Sequence, residues 1–285
     1  MAAETKTGFV TLPDNVRLAY SQSGPASGPN IVFIPGWIQT AAQFHKQVAH
    51  FSKRFRVTTY DHRGHGDSDK PGFGYRVPRL AADLEALLTQ LDLKEVALVG
   101  HSMGASTIWA HWDLFPHTRV KKVVFVDQAR TLTWNPAWSE EERKCAGAVF
   151  SPEAMFQTHN LLAGPEGAET RKMLGRQFYT EGLDPGEFEW ACGKAMIAPA
   201  HVASQMMLGQ ALLDWGDVFP RFTVPVLVIS AKGSLVPVES GEWIVKQVGA
   251  NARRVVFEKE EGGSHFMFFE NPEKFNKVLE EFLDE

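Results

Sequence analysis

Val96-Ala-Leu-Val-Gly-His-Ser-Met-Gly104 decides the reading of this chain. Val96–Val99 is a short, wholly apolar run, the pattern of a strand covered on both faces. Gly100-His101-Ser102-Met103-Gly104 follows at once and matches G-x-S-x-G. A helix-compatible segment comes next. A serine on a tight strand-to-helix turn projects its hydroxyl above the sheet edge, and the flanking glycines relieve the crowding of that strained turn. The helix N-terminus beneath it favours developing negative charge. In this context Ser102 reads as a nucleophile.

Working outward, similar apolar runs occur at Ile31–Ile34, Val123–Val126 and Val226–Ile229, with a β-branched run at Arg56–Tyr60. Phe9–Leu12 and Val16–Tyr20, joined across Pro13-Asp14-Asn15, read as a hairpin. Helical faces lie between the runs. Leu80, Leu84, Leu87, Leu88 and Leu91 share one, and Phe275, Val278, Leu279 and Phe282 another, the second introduced by an Asn271-Pro272 cap. The alternation predicts an α/β fold with a mostly parallel central sheet flanked by helices.

The alternation stops after Arg130 and resumes near Phe222. The stretch between is helical in pattern, punctuated by prolines and rich in methionine and aromatic residues. The expected organisation is a core formed by residues 1–130 and 215–285, with an inserted helical cap at 131–214. A cap with its own small core is the plain reading. An apolar wall over a site is the sharper one, with Trp134, Trp138, Phe156, Trp190 and Met206 as candidate pocket residues.

Four blocks, Gly100–Gly104, Ile34-Pro-Gly-Trp37, Asp61-His-Arg-Gly-His-Gly-Asp-Ser68 and Gly263-Ser-His265-Phe, give the chain a resemblance to the α/β-hydrolase family over nearly its whole length. The resemblance implies a capped serine hydrolase with Ser102 as nucleophile and His265 as base. It also implies backbone N–H donors from Trp37 and Met103 for an oxyanion. The usual position of the acid, after the penultimate strand, reads Ser230-Ala-Lys-Gly-Ser-Leu-Val-Pro237 and holds no carboxylate. Asp127, at the end of the Val123–Val126 run, takes the role as in some members of the family. Glu239 and Glu261 are the fallbacks. Among the other histidines, His62 and His65 sit in a loop that is chiefly structural in this family. His101 is expected to turn away from the nucleophile, and His159 and His201 lie in the cap stretch.

The expected activity is cleavage of an ester, lactone or related acyl bond of an apolar small molecule through an acyl-enzyme. Alternatives on the same fold are a cofactor-free dioxygenase, a C–C hydrolase, a perhydrolase or a ligand-binding receptor. The dioxygenases of this fold carry a histidine near the Pro-Gly-Trp block, where this chain has Gln39. Serine at the elbow argues against family members with a carboxylate nucleophile.

Composition sets wider bounds. Lys plus Arg number 29 against 34 Asp plus Glu, a net charge of −5, so no general attraction to nucleic acid or an anionic membrane is expected. Two cysteines, Cys145 and Cys192, without a Cys/His cluster give no zinc signature, and no dinucleotide fingerprint follows the first strand. The expectation is no cofactor and no metal. The polar N-terminus and the low cysteine usage lead to an expected cytoplasmic, reduced chain. Oligomeric state is left open.

Overall fold

A computed structural model describes residues 5–285. The polar stretch read from Met1 therefore begins outside the described residues. Eight strands form one sheet: β1 (Thr5–Thr11), β2 (Arg17–Ser23), β3 (Asn30–Ile34), β4 (Arg56–Tyr60), β5 (Val96–His101), β6 (Val120–Val126), β7 (Val226–Ala231) and β8 (Ala252–Phe257). Their order is β1-β2-β4-β3-β5-β6-β7-β8. β1 pairs antiparallel with β2, and β2 with β4; every other pairing is parallel.

The apolar runs resolve into two interleaved sets. Val32, Ile34, Leu98, Val123, Phe125, Val226 and Val228 belong to one core, and Ile31, Phe33, Ala97, Val99, Val124, Val126, Leu227 and Ile229 to the other. Successive strand residues face opposite sides, so a run that is apolar at every position needs cover on both. On the first side the cover comes from helices α2 (Val77–Gln90), α3 (Met103–Leu114) and α9 (Val238–Val248). On the second it comes from α1 (His45–Phe51), the single turn α10 (Met267–Glu270) and α11 (Pro272–Asp284). The leucine face at 80–88 is wholly buried on α2, and Phe275, Leu279 and Phe282 on α11. Asn271 caps α11 by accepting from the Lys274 N–H at 3.1 Å. The hairpin turns at Asp14-Asn15, with Asn15 at φ 63°, a conformation asparagine tolerates. β8 had no apolar run to announce it, because Arg253 and Arg254 interrupt it.

Between β6 and β7 the chain makes five helices: α4 (Glu140–Ala146), α5 (Pro152–Ala163), α6 (Gly167–Arg176), α7 (Pro185–Ala195) and α8 (Ala200–Ala211). Prolines at the first turn of α5 and α7 mark starts rather than breaks, since the ring needs no N–H there. Cys145 and Cys192 are both free thiols. Among the described residues no helix is long and apolar enough to cross a membrane.

Candidate active site

Ser102 joins β5 to α3 with φ 53° and ψ −124°, a strained backbone for a non-glycine residue. Its two glycine neighbours are required by close approach. A Cβ on Gly100 would lie 2.5 Å from the backbone of Gly104, and one on Gly104 would lie 2.2 Å from the Ile34 carbonyl oxygen. The turn is thus wedged between its own helix and β3, and the Ser102 N–H is tied to the Val126 carbonyl at 2.8 Å. Strain of this kind persists where the surroundings over-determine the conformation.

The next strand end supplies Asp127. It too has a left-handed backbone, φ 50°, and its N–H donates to the Ile229 carbonyl at 2.8 Å. The carboxylate is buried, and Oδ2 accepts the Nδ1–H of His265 at 2.6 Å. That bond fixes the tautomer of the imidazole and leaves Nε2 unprotonated. Ser234, on the loop after β7, donates its hydroxyl to the same oxygen. Glu239 is exposed on α9, and Glu261 is exposed and paired with Lys274. Neither is bonded to His265.

Ser102 and His265 line a cavity of about 430 Å³, within the range of small-molecule sites. Its wall is mostly apolar: Leu132, Phe150, Leu174, Phe178, Met207 and Phe266, with Trp37 beside the serine. The polar members besides Ser102 and His265 are His101, Gln128, Gln177 and Gln210; among the described residues no Asp, Glu, Lys or Arg lines the cavity.

The five pocket candidates need correction, since none lines this cavity. Trp134 lies under the Arg143 guanidinium, and Trp138 under that of Arg130. Trp190 stacks on Phe269 and meets His45 edge-on, on the outside of the molecule. Phe156 is half exposed, and Met206 is packed in the main core. The residues that do form the wall are their neighbours in the same segment, Phe150, Phe178 and Met207. Helical phase decides which side faces inward: Met207 follows Met206 but points about 100° away from it. His159 and His201 are also outside the cavity; the first bonds to the Ser204 carbonyl and the second packs on Tyr75.

The loop Pro35–Ile38 is braced from behind by the Asp61–Ser68 block. His62 Nε2–H donates to the Pro35 carbonyl at 2.9 Å, and His65 Nε2 accepts the Ile38 N–H at 3.1 Å. Burial first, then the neighbouring His65 and Arg63, pushes His62 down to about 3; burial pushes His65 to about 4. Both rings are therefore neutral near pH 7, as an acceptor nitrogen requires. Asp61 accepts from the Ala41 and Asp67 N–H groups, both at 2.8 Å. The Trp37 indole N–H donates to the Ala203 carbonyl at 2.8 Å, tying this loop to α8. Among the described residues no acceptor takes up the backbone N–H of Trp37 or of Met103.

His101 bonds to residues other than Ser102. Its ring lies 4.5 Å from that of His265, its Nε2 is 2.8 Å from the His265 carbonyl, and its Nδ1 is 2.8 Å from Gln39 Oε1. Burial lowers it from the ordinary value of 6.5, and a neutral ring has a single N–H, which it can donate to only one of these two oxygens. Gln39 also accepts the Gly36 N–H. The pair Gln39–His101 thus links the Pro-Gly-Trp loop to the backbone of His265. Neither this role nor that of Ser234 could be read from the sequence, because both depend on contacts across segments far apart in the chain.

The chain is similar to known proteins in sequence and fold. The profile of the family described as "alpha/beta hydrolase fold" matches residues 29–151. A non-heme chloroperoxidase of Streptomyces lividans is 28% identical across 97% of this chain and 99% of its own length. A bifunctional esterase/perhydrolase of Acinetobacter calcoaceticus is 26% identical over the same shares of the two chains. Among solved structures, the bromoperoxidase from Bacillus anthracis superposes with a TM-score of 0.88 at 23% identity, over 98% of this chain and 100% of that one. With the sheet order, the serine elbow and these likenesses together, the chain has the α/β-hydrolase fold.

Proposed function

We propose that this chain is a serine hydrolase that cleaves an ester, lactone or related acyl bond of an apolar small molecule. Ser102 is the nucleophile, His265 the general base and Asp127 the acid that orients it. The observation that carries the reading is the 2.6 Å bond from His265 Nδ1 to a buried Asp127, with the histidine and Ser102 opening onto one cavity. His265 Nε2 takes the Ser102 proton as Oγ attacks the acyl carbon, and Asp127 stabilises the imidazolium that forms. The N–H groups of Trp37 and Met103 receive the oxyanion. His265 then returns the proton to the leaving group, and water repeats the sequence to release the acid. Residues 131–214 act as the lid, whose inner wall selects the substrate.

A second reading shares every step up to the acyl-enzyme. With hydrogen peroxide in place of water, the same intermediate yields a peracid, and the likeness to an esterase/perhydrolase favours testing it. Purified protein assayed with short and medium p-nitrophenyl esters, lactones and thioesters should release acid. Consumption of oxygen with a 3-hydroxy-4-quinolone, in the absence of any ester turnover, would defeat the proposal. The dioxygenase alternative also lacks its histidine near Trp37, where Gln39 is already committed to Gly36 and His101.

A further inference from the structure

The loop after β7, Ser230–Pro237, has no carboxylate, yet it reaches the acid of the site. The Ser234 hydroxyl donates to Asp127 Oδ2, the oxygen that also accepts His265 Nδ1–H. The Val236 N–H donates to Ser234 Oγ at 3.1 Å, which occupies a lone pair and leaves the hydroxyl proton for Asp127. The other carboxylate oxygen, Oδ1, is buried without a hydrogen-bond partner among the described residues. Two donors on one oxygen, one from each of two adjacent strand ends, are therefore what sets the rotation of this carboxylate.

We propose that Ser234 is a positioning residue for the His265–Asp127 pair, holding Oδ2 toward the imidazole and withdrawing part of its charge. The inference rests on the reading of Ser102, His265 and Asp127 as the reacting set. Its physical content is a competition. A hydroxyl bonded to a carboxylate stabilises the anion and weakens its pull on a neighbouring cation. Removing that hydroxyl returns charge to Oδ2, so the imidazole holds its proton more firmly while the carboxylate is freer to rotate. The other groups facing His265 do not supply this effect. His101 is uncharged, Phe178 and Phe266 are apolar, and Glu270, two steps away, is already taken by Ser264 and Thr180.

The test uses Ser234→Ala and Ser234→Thr in the full chain, with two readouts. One is the low-field proton NMR resonance of His265 Nδ1–H, which needs no substrate. The other is steady-state kinetics on p-nitrophenyl butyrate across pH, which gives both kcat and the acidic limb of kcat/KM. In Ser234→Ala the resonance should move further downfield, the acidic limb should rise by about half a pH unit, and kcat should fall roughly tenfold. Ser234→Thr, which keeps the hydroxyl, should return all three toward the parent. If Ser234→Ala lowers only the melting temperature and leaves the resonance and the limb unmoved, the inference is overturned. A chain that turned over no acyl substrate would end the hydrolase reading instead, and the resonance would still report on Ser234.

Discussion

Ser102 and Asp127 share an unusual property: each is a non-glycine residue with positive φ at the carboxyl end of a parallel strand. Chains store such strain where a side chain must be aimed precisely. Ser102→Ala should therefore abolish turnover while leaving the fold intact, with a loss on the order of 10⁶-fold in kcat. Asp127→Asn should cost about 10⁴-fold, because the amide favours the wrong tautomer of His265. If Asp127→Asn were nearly silent while Glu239→Gln was not, the acid would be misassigned. Gly104→Ala belongs to a different class. A methyl 2.2 Å from the Ile34 carbonyl has nowhere to go, so the variant should lose about 2–4 kcal/mol of stability in chemical denaturation. Ser102 and both glycines were legible in the sequence because one motif fixes them within a few residues, whereas His265 was legible through the resemblance carried by the Gly263-Ser-His265-Phe block. Asp127 was legible only through the resemblance and the missing carboxylate after β7. Ser234, Gln39 and His101 were not, since a hydrogen bond between residues 107 apart in sequence leaves no local pattern.

At the scale of elements, the inner strands β3, β5, β6 and β7 were readable because burial on both faces demands uninterrupted apolar runs, and β8, interrupted by Arg253 and Arg254, was not. The helices between β6 and β7 were readable as helices but not in rotation. Aromatic residues there divide between an inner wall and an outer surface, and composition alone does not separate Phe178 from Trp190. Among the described residues the inner wall carries no charged side chain. A carboxylate carried into it would lose its hydration without gaining a cationic partner. Phenyl hexanoate should accordingly be turned over at least about 100-fold more efficiently in kcat/KM than monophenyl adipate, a difference of ~2.7 kcal/mol, within the cost of burying an unpaired polar group. Equal rates on the two would contradict this account of the wall.

The molecule as a whole depends on neutral buried histidines. His62, His65 and His101 brace the loop and strand end around Ser102, and burial lowers all three below their ordinary value of 6.5. Unfolded chains would bind protons on these rings first. Their contribution to stability is therefore complete above about pH 6.5 and declines as pH falls toward the folded values, about 4 for His65 and about 3 for His62. Each ring can contribute a slope of up to about 1.4 kcal/mol per pH unit in that window. The melting temperature should drop steadily from pH 6.5 to 4, and less steeply in His62→Gln. A melting temperature flat across that window would show that the rings titrate alike in both states.

An activated Ser102 at the mouth of the cavity should react with a fluorophosphonate, and peptide mass spectrometry of the treated, purified chain locates the adduct. One adduct per chain is expected, on Ser102, absent from Ser102→Ala and strongly slowed in Asp127→Asn. No adduct, or an adduct on another residue that persists in Ser102→Ala, would contradict an activated Ser102.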